Sequence, residues 1–370
     1  MTPRKSMSFF LESIFDAGTP FVRENRERNT GQRRVALGLK QDQAVFEDVA
    51  EAFRAAGGTL ENLRLGQGTR GRGLFVIDPL HEARLIVPKA LLLPVEQLRM
   101  LEGRPSIKGG ADITPAVDAF YATYFNSIGF PKTAFQDARK AISALHRLPG
   151  AVQDMMLKGS PDGVTRYPPF DPDRVLDWHI EQRCLRMAEG QRVVIPMMEL
   201  ANHDSGARSC EWRGGDLVAE GLFADEFLLR YHTTDCWTTY LNWGFVAPSD
   251  RVVSLGVTVN EPGGWRIRVV ADGRSQADGD FTILSADGGV LNVSRLLLVG
   301  PAGTDQARVL FRSRIAAFGV ANPDELFSIV SNINRDWYEN LLKIAKGATR
   351  NAALTALRQA AKFQHAALES

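Results

Sequence analysis

Apolar residues recur every three or four positions in several stretches, and each such stretch predicts an amphipathic helix. Phe9, Ile14 and Phe15 share one side of residues 6–16. Val45, Phe46, Val49, Ala52 and Phe53 do the same over residues 41–56, where Gly57-Gly58 supplies a C-terminal stop. Between these two, residues 23–34 are polar and rich in arginine, and read as a solvated linker or as a substrate-steering edge. The pattern then shifts to short β-like runs at 60–65, 73–78 and 84–88, punctuated by glycines and by Asp78-Pro79. Helical spacing returns from about 111 to 187. Val117, Phe120, Tyr121, Tyr124 and Phe125 form one stripe; Ala141, Leu145, Met155 and Met156 follow, then Val175, Trp178, Ile180 and Leu185. Aromatic stripes at this spacing read as core. Residues 159–173, with Pro161, Pro168, Pro169 and Pro172, read as a loop between helices.

The run Val193-Val194-Ile195-Pro196 is too short for a helix and reads as a buried strand; it leads through Met197, Met198, Glu199, Leu200 and Ala201 to Asn202-His203-Asp204. Residues 227–231 read as another strand. Residues 265–271 and 280–284 look like a hairpin, with Asp272-Gly273 and Asp278-Gly279 between them. After about Pro301 the chain turns helical to its end, over 307–318, 323–330, 337–345 and 352–367. There is no internal repeat and no low-complexity tract. Strands and helices are segregated rather than alternating, which predicts an α+β fold and not a doubly wound parallel sheet.

Composition narrows the function classes. At 370 residues the chain suits two or three structural units, and its 44% hydrophobic and 24% charged content is that of an ordinary globular protein. The 44 basic residues nearly cancel the 43 acidic ones, so no global field draws the chain to nucleic acid or to an anionic membrane. The tail's Lys343, Lys346, Arg350, Arg358 and Lys362 are spread along helices among apolar partners and read as a solvated face. Cys184, Cys210 and Cys236 stand singly without a CxxC pair, which argues against a structural zinc site and a disulfide framework. Glu12 and Asp16 interrupt any signal-peptide core near the start, and no later run reaches membrane-spanning length. A cytoplasmic location is expected.

Three stretches carry candidate chemistry. The first is Thr69-Arg70-Gly71-Arg72-Gly73-Leu74-Phe75, a glycine pair at the entry to a strand where backbone can approach a ligand. It fails as a dinucleotide fingerprint, having no third glycine in place and no helix opening after it. The second is the Asn202-His203 turn, which taken alone reads more often as a structural turn. The third runs from Tyr231-His232-Thr233-Thr234-Asp235-Cys236 to Leu241-Asn242-Trp243-Gly244-Phe245-Val246.

In this order the three stretches resemble the SET-domain protein methyltransferases. Within them they resemble the branch of the Rubisco large-subunit lysine methyltransferase and the actin-histidine methyltransferase. The resemblance covers roughly residues 60–250 by motif. It implies a SET fold of short strands with a helical insertion at about 105–190, after a helical segment at 1–59. It also implies a mainly helical, substrate-binding-like domain at 251–370. By the same resemblance the cofactor is S-adenosylmethionine, and Arg70, Gly71, Arg72 and Gly73 would run along it. Leu200, Asn202 and His203 would hold its amino-acid and adenine portions. Arg183, with Arg186 as the alternative, would pair its carboxylate, a task suited to a planar bidentate fork. Tyr231 would be the active-site tyrosine. Phe245 would close over the adenine or the target channel, and Trp237, Tyr240 and Trp243 would line that channel. No metal is implied.

The chemistry suits these residue types. Methyl transfer from a sulfonium is an in-line displacement, so catalysis is mostly alignment and preorganised electrostatics. A target lysine must be neutral, at a cost of roughly 4–5 kcal/mol at pH 7. An apolar channel can supply much of this by desolvation, with Tyr231 orienting the amine.

The chain departs from the family pattern at four places. Asp204 stands where Ser or Thr is common, His232 where Gly is, Asp235-Cys236 where Ser-Asn is, and Trp243 where Tyr or Ser is often found. A rival reading is a catalytically degenerate SET fold that binds a protein or peptide. A metal-dependent hydrolase built from His203, Asp204, Cys210 and His232 fits no recognised ligand spacing. The expectation is a protein N-methyltransferase acting on lysine in preference to histidine of a protein substrate.

Overall fold

The structure, a computed structural model, describes residues 28–101, 104–108, 113–129, 140, 143–159, 180, 183–187, 190–231, 235–243, 245–260, 264–270, 282–294, 296–349 and 351–370. The helix expected over 6–16 and the loop over 160–173 lie outside them, as do His232, Gly244 and the side chains of Trp243 and Arg186. The chain forms two compact units. Met1–Asp137 and His179–Leu229 make the first, and Ala138–Trp178 and Arg230–Ser370 the second. Helices and strands mix in both, and among the described residues no helix is long and apolar enough to cross a membrane.

In the first unit, helix α1 (Arg28–Ala55) starts earlier than its apolar stripe. The expected linker over 23–34 is therefore helical from Arg28, in a segment supplied with Gln, Arg, Ala and Leu, all good helix formers. The helix stops where expected: Gly57 takes φ 95° and Gly58 N donates to Phe53 O at 2.9 Å. Strands β1 (Thr59–Glu61), β2 (Leu63–Gly68), β3 (Gly71–Val76) and β4 (Ala83–Val87) follow. The short strands β5 (Leu93–Pro94), β6 (Leu98–Leu101) and β7 (Arg104–Ile107) then lead to helix α2 (Pro115–Phe125), capped by the Thr114 side chain. Strands β8 (Cys184–Arg186), β9 (Arg192–Val194), β10 (Asn202–His203), β11 (Glu211–Arg213), β12 (Asp216–Gly221) and β13 (Leu228–Leu229) complete the unit.

These strands make several small sheets rather than one large one: β1-β4-β12-β11, β2-β3, β5-β9-β8, β6-β7 and β10-β13. The stripe predicted for α2 is core: Phe120 sits 5.5 Å from Phe53 of α1 and 5.4 Å from Tyr124, ring centre to ring centre.

The second unit contains α3 (Gly150–Lys158), α4 (Cys236–Trp243), strands β14 (Val252–Val253), β15 (Val257–Asn260), β16 (Arg266–Val270), β17 (Thr282–Asp287), β18 (Val290–Ser294) and β19 (Leu297–Val299), and helices α5 (Thr304–Ile315), α6 (Pro323–Lys346) and α7 (Ala352–Glu369). The stretch after residue 251 is thus stranded as far as Val299 before the expected helices begin.

Two sequence expectations change here. The hairpin expected between 265–271 and 280–284 does not form, because β18 lies between the two strands. It pairs parallel to β16 and antiparallel to β17. The tight turn is Gly288-Gly289, with φ 55° and 77°, which joins β17 to β18 and suits a two-residue hairpin. The two helices expected at 323–330 and 337–345 are one. The polar stretch between them stays helical because Asn334 points inward and is fully bonded, while Arg335 and Asp336 face solvent.

Two apolar clusters fill this unit. Ile267, Val269, Leu291 and Val293 of the sheet pack with Phe311 and Phe327. Trp237, Tyr240 and Tyr338 pack with Leu357, Ala360 and Ala361, whose small side chains let helices approach closely.

Candidate functional site

The sequence of the β2–β3 hairpin explains its shape. Gly68 faces Gly71 across the two-residue turn Thr69-Arg70, and Gly71 takes φ 92°, which a side chain would strain. Gly73 serves a different purpose. A Cβ there would lie 2.4 Å from Asn202 Nδ2 and 3.0 Å from Glu226 Oε1. The bare main chain at this point makes room for the Asn202 amide, 130 residues further along the chain, which donates to Arg72 O at 3.4 Å.

Asn202 reaches this position through a strained approach. After β9, Met197 adopts φ 66° and ψ −40° while fully buried, an unusual geometry for a residue with a side chain. A single 3₁₀ turn over Met198–Leu200 follows, and β10 then pairs in parallel with β13, Asn202 opposite Leu228 and His203 opposite Leu229. Leading into β13, Val76 N donates to Asp225 O at 2.7 Å and Phe227 N to Leu74 O at 2.8 Å. The segment carrying Asp225-Glu226 is thereby laid along β3.

At this corner the side chains form one connected chain. Asn202 Nδ2 donates to Glu226 Oε1 at 2.6 Å, Arg70 Nη1 approaches Glu226 Oε2 at 3.4 Å, and Arg70 Nη2 approaches Asp204 Oδ2 at 2.7 Å. The other oxygen of Asp204 accepts from Gly206 N at 2.8 Å. Both bonds of the Asn202 side chain use Nδ2, so among the described residues Oδ1 remains as an acceptor. The guanidinium of Arg70 is engaged by two carboxylates.

Arg72 turns the other way. Its guanidinium is buried, donates to Ile128 O at 3.1 Å, and has its pKa lowered by burial against the opposing pull of Asp42 and Glu199. Glu199 is only partly buried as a residue, but its Oε2 is covered and has no hydrogen-bond partner among the described residues. Tyr124 donates its hydroxyl to Oε1. Burial raises the Glu199 carboxyl to about 8, with a bond to its own backbone and the charge of Arg72 opposing the rise. The carboxyl is therefore mostly protonated at neutral pH.

The first unit thus gathers Arg70, Gly71, Arg72, Gly73, Leu200, Asn202 and His203 around one corner. Arg183 belongs to the same unit, half-buried just before β8, with its N–H donating to Ile180 O at 2.9 Å. Glu226 is the residue that sequence reasoning missed. Its only signal was the acidic pair Asp225-Glu226 directly before the strand-like run at 227–231.

Tyr231, Trp237, Tyr240 and Phe245 belong to the second unit, where Tyr231 is 37% exposed and Phe245 is half-buried. Within that unit the rings of Trp237 and Tyr240 are both buried in an apolar cluster. Trp237 is 2% exposed, donates Nε1–H to Gly159 O at 3.0 Å, and packs edge-on against Trp337 and Tyr338. The Tyr240 hydroxyl donates to Ala353 O at 3.2 Å. Among the described residues no group of three or more His, Cys, Asp and Glu side chains is placed to hold a metal.

No protein-family model matches the chain, and no curated protein matches it by sequence. Several solved structures resemble it weakly, among them two methyltransferase structures. The SET domain of LSMT bound to lysine and AdoHcy is 13% identical, with a TM-score of 0.40, over 88% of this chain and 89% of that one. Rubisco LSMT bound to AdoMet is 12% identical, with a TM-score of 0.44, over 88% of this chain and 90% of that one. At these values the likeness decides neither fold nor function, and the functional reading rests on the residues of this chain.

Proposed function

We propose that the chain is an S-adenosylmethionine-dependent protein N-methyltransferase of the SET class that methylates a lysine side chain of a protein substrate. One observation carries the reading. The glycine strand and the Asn-His corner, two pieces of the motif set far apart in sequence, meet so closely that Gly73 has no room for a Cβ beside Asn202. The Asn202 Oδ1, left as an acceptor among the described residues, suits the ammonium of an amino-acid moiety. Arg183 is an arginine of the same unit, a residue type suited to a carboxylate.

When bound, the cofactor supplies an electrophilic methyl group on a sulfonium. The lysine nitrogen forms the new N–C bond as the S–C bond breaks, the thioether leaves, and the amine gives up a proton. Tyr231, 37% exposed in the second unit, is the residue assigned to the target amine. Its phenol orients the target amine.

The test has three parts. Calorimetric titration with S-adenosylmethionine should show binding. Incubation with labelled cofactor and a lysate of the source cell should label a protein band. Tyr231→Phe should lower turnover about 100-fold or more while leaving cofactor affinity in place. No binding with the cofactor in large excess, or unchanged turnover in Tyr231→Phe, overturns the reading. Binding without any labelled band favours the degenerate, partner-binding fold.

A further inference from the structure

Asp204 departs from the residue type common after an Asn-His pair, and its partner explains the departure. It faces Arg70 at 2.7 Å, and Arg70 also reaches Glu226, whose second oxygen holds the Asn202 amide nitrogen. The four residues come from three places in the chain: the β2–β3 turn, the β10 corner and the segment before β13. We infer that Arg70, Asp204 and Glu226 are positioning residues, a clasp that fixes which face of the Asn202 amide is offered to a ligand.

The physical reason lies in the near symmetry of a side-chain amide. Its oxygen and nitrogen ends are almost the same shape, so only hydrogen-bond partners choose between the two orientations. Reversing Asn202 would set its oxygen against Glu226 Oε1 and Arg72 O, both acceptors. Glu226 therefore forbids the reversed form. It can do so only while held in place, and Arg70 holds it at 9% side-chain exposure. Asp204 in turn holds Arg70, whose side chain is 35% exposed and otherwise free to swing into water. With its nitrogen held by Glu226, the amide offers its oxygen, so the corner selects a hydrogen-bond donor.

The identity of that ligand rests on the methyltransferase reading, whereas the clasp does not. The experiment separates them by using the full chain without cofactor, labelled with ¹⁵N at asparagine. In the wild type the Asn202 side-chain NH₂ should exchange slowly with water and show a shifted, hydrogen-bonded resonance. Glu226→Gln keeps the shape but must aim its amide nitrogen either at Asn202 Nδ2 or at Arg70. It should speed that exchange tenfold or more, and Arg70→Met should act in the same direction. Arg70→Lys, which keeps the charge but loses the fork, should fall between. The same variants should weaken S-adenosylmethionine binding about tenfold, with melting temperatures within a few degrees of the wild type. An Asn202 resonance and exchange rate unchanged in Glu226→Gln overturn the clasp. If the resonances respond as described but the wild type binds no S-adenosylmethionine, the clasp stands and the methyltransferase reading falls.

Discussion

The two units bury the same kinds of polar side chain to different ends. In the second unit, Asp235 is 1% exposed, and its two oxygens accept from Thr238 N at 2.7 Å and Val253 N at 2.8 Å. With its amide turned to suit its partners, Gln364 adds a third donor at 3.2 Å. Asn334 is likewise engaged on three sides, by Leu255 N, Ser254 Oγ and Val330 O. In the first unit, Glu226 and Asn202 are held mainly by other side chains, and one acceptor stays open. Main-chain donors cannot be exchanged by substitution, so a group they saturate serves as scaffold. A group held by side chains, with one acceptor left over, can be tuned for a ligand. This difference also explains the departure at Asp235-Cys236: Asp235 is a helix cap, and the neighbouring Cys236 thiol is buried and pushed well above its ordinary range, chiefly by desolvation.

The sharpest way to break this contrast is Asp235→Ala. It strands two half-buried N–H groups and should lower stability by about 2–4 kcal/mol in urea unfolding, while the folded protein keeps its cofactor affinity. Loss of affinity without loss of stability would reverse the roles assigned to the two regions.

Glu199→Gln comes next. The folded chain holds the Glu199 proton to about pH 8, whereas the unfolded chain releases it near the ordinary carboxylate value of 4.5. Folding therefore binds a proton between these values, and wild-type stability declines as pH rises through that window, level on either side. The variant should be less sensitive to pH and gain on the wild type by about 2–4 kcal/mol between pH 5 and pH 9. Parallel melting-temperature profiles for the two proteins would show that this carboxyl does not titrate as described.

Gly73→Ala is a smaller change aimed at the corner itself. Gly73 is not among the residues at positive φ, so backbone strain should be small, and the new methyl displaces Asn202. Cofactor affinity should fall about tenfold, or roughly 1.4 kcal/mol, measured by calorimetry. The smallest effect is expected for Arg312→Ala, which breaks the exposed 3.0 Å pair with Asp324 and should change stability by about 0.5 kcal/mol or less.

Much of this architecture was legible beforehand, for identifiable reasons. The stop of α1 at Gly57-Gly58 and the strand after Gly71 follow from local backbone preferences, which act within a few residues. The α2 stripe was readable because five bulky side chains at helical spacing can be buried on only one face. Glu226 was not readable, since an acidic residue before a strand looks the same whether it is solvated or holding an amide. Trp237 and Tyr240 were ambiguous for a related reason. Core and channel use the same aromatic residues, and only the Gly159 and Ala353 carbonyls identify these two rings as core. The order of β16, β18 and β17 was equally hidden, because strand pairing depends on residues distant in the chain.

The sequence by itself determined where α1 stops and where the strand after Gly71 starts, which faces are apolar, and that glycines and an Asn-His pair occur in a particular order. Those properties depend on interactions within a turn or two of chain. Only the tertiary structure decided that Asn202 rests on Gly73, that Glu226 and Arg70 orient it, and that Asp235 is scaffold. Each of these is a contact between distant segments, and its energy depends on burial and on which donors surround a given oxygen.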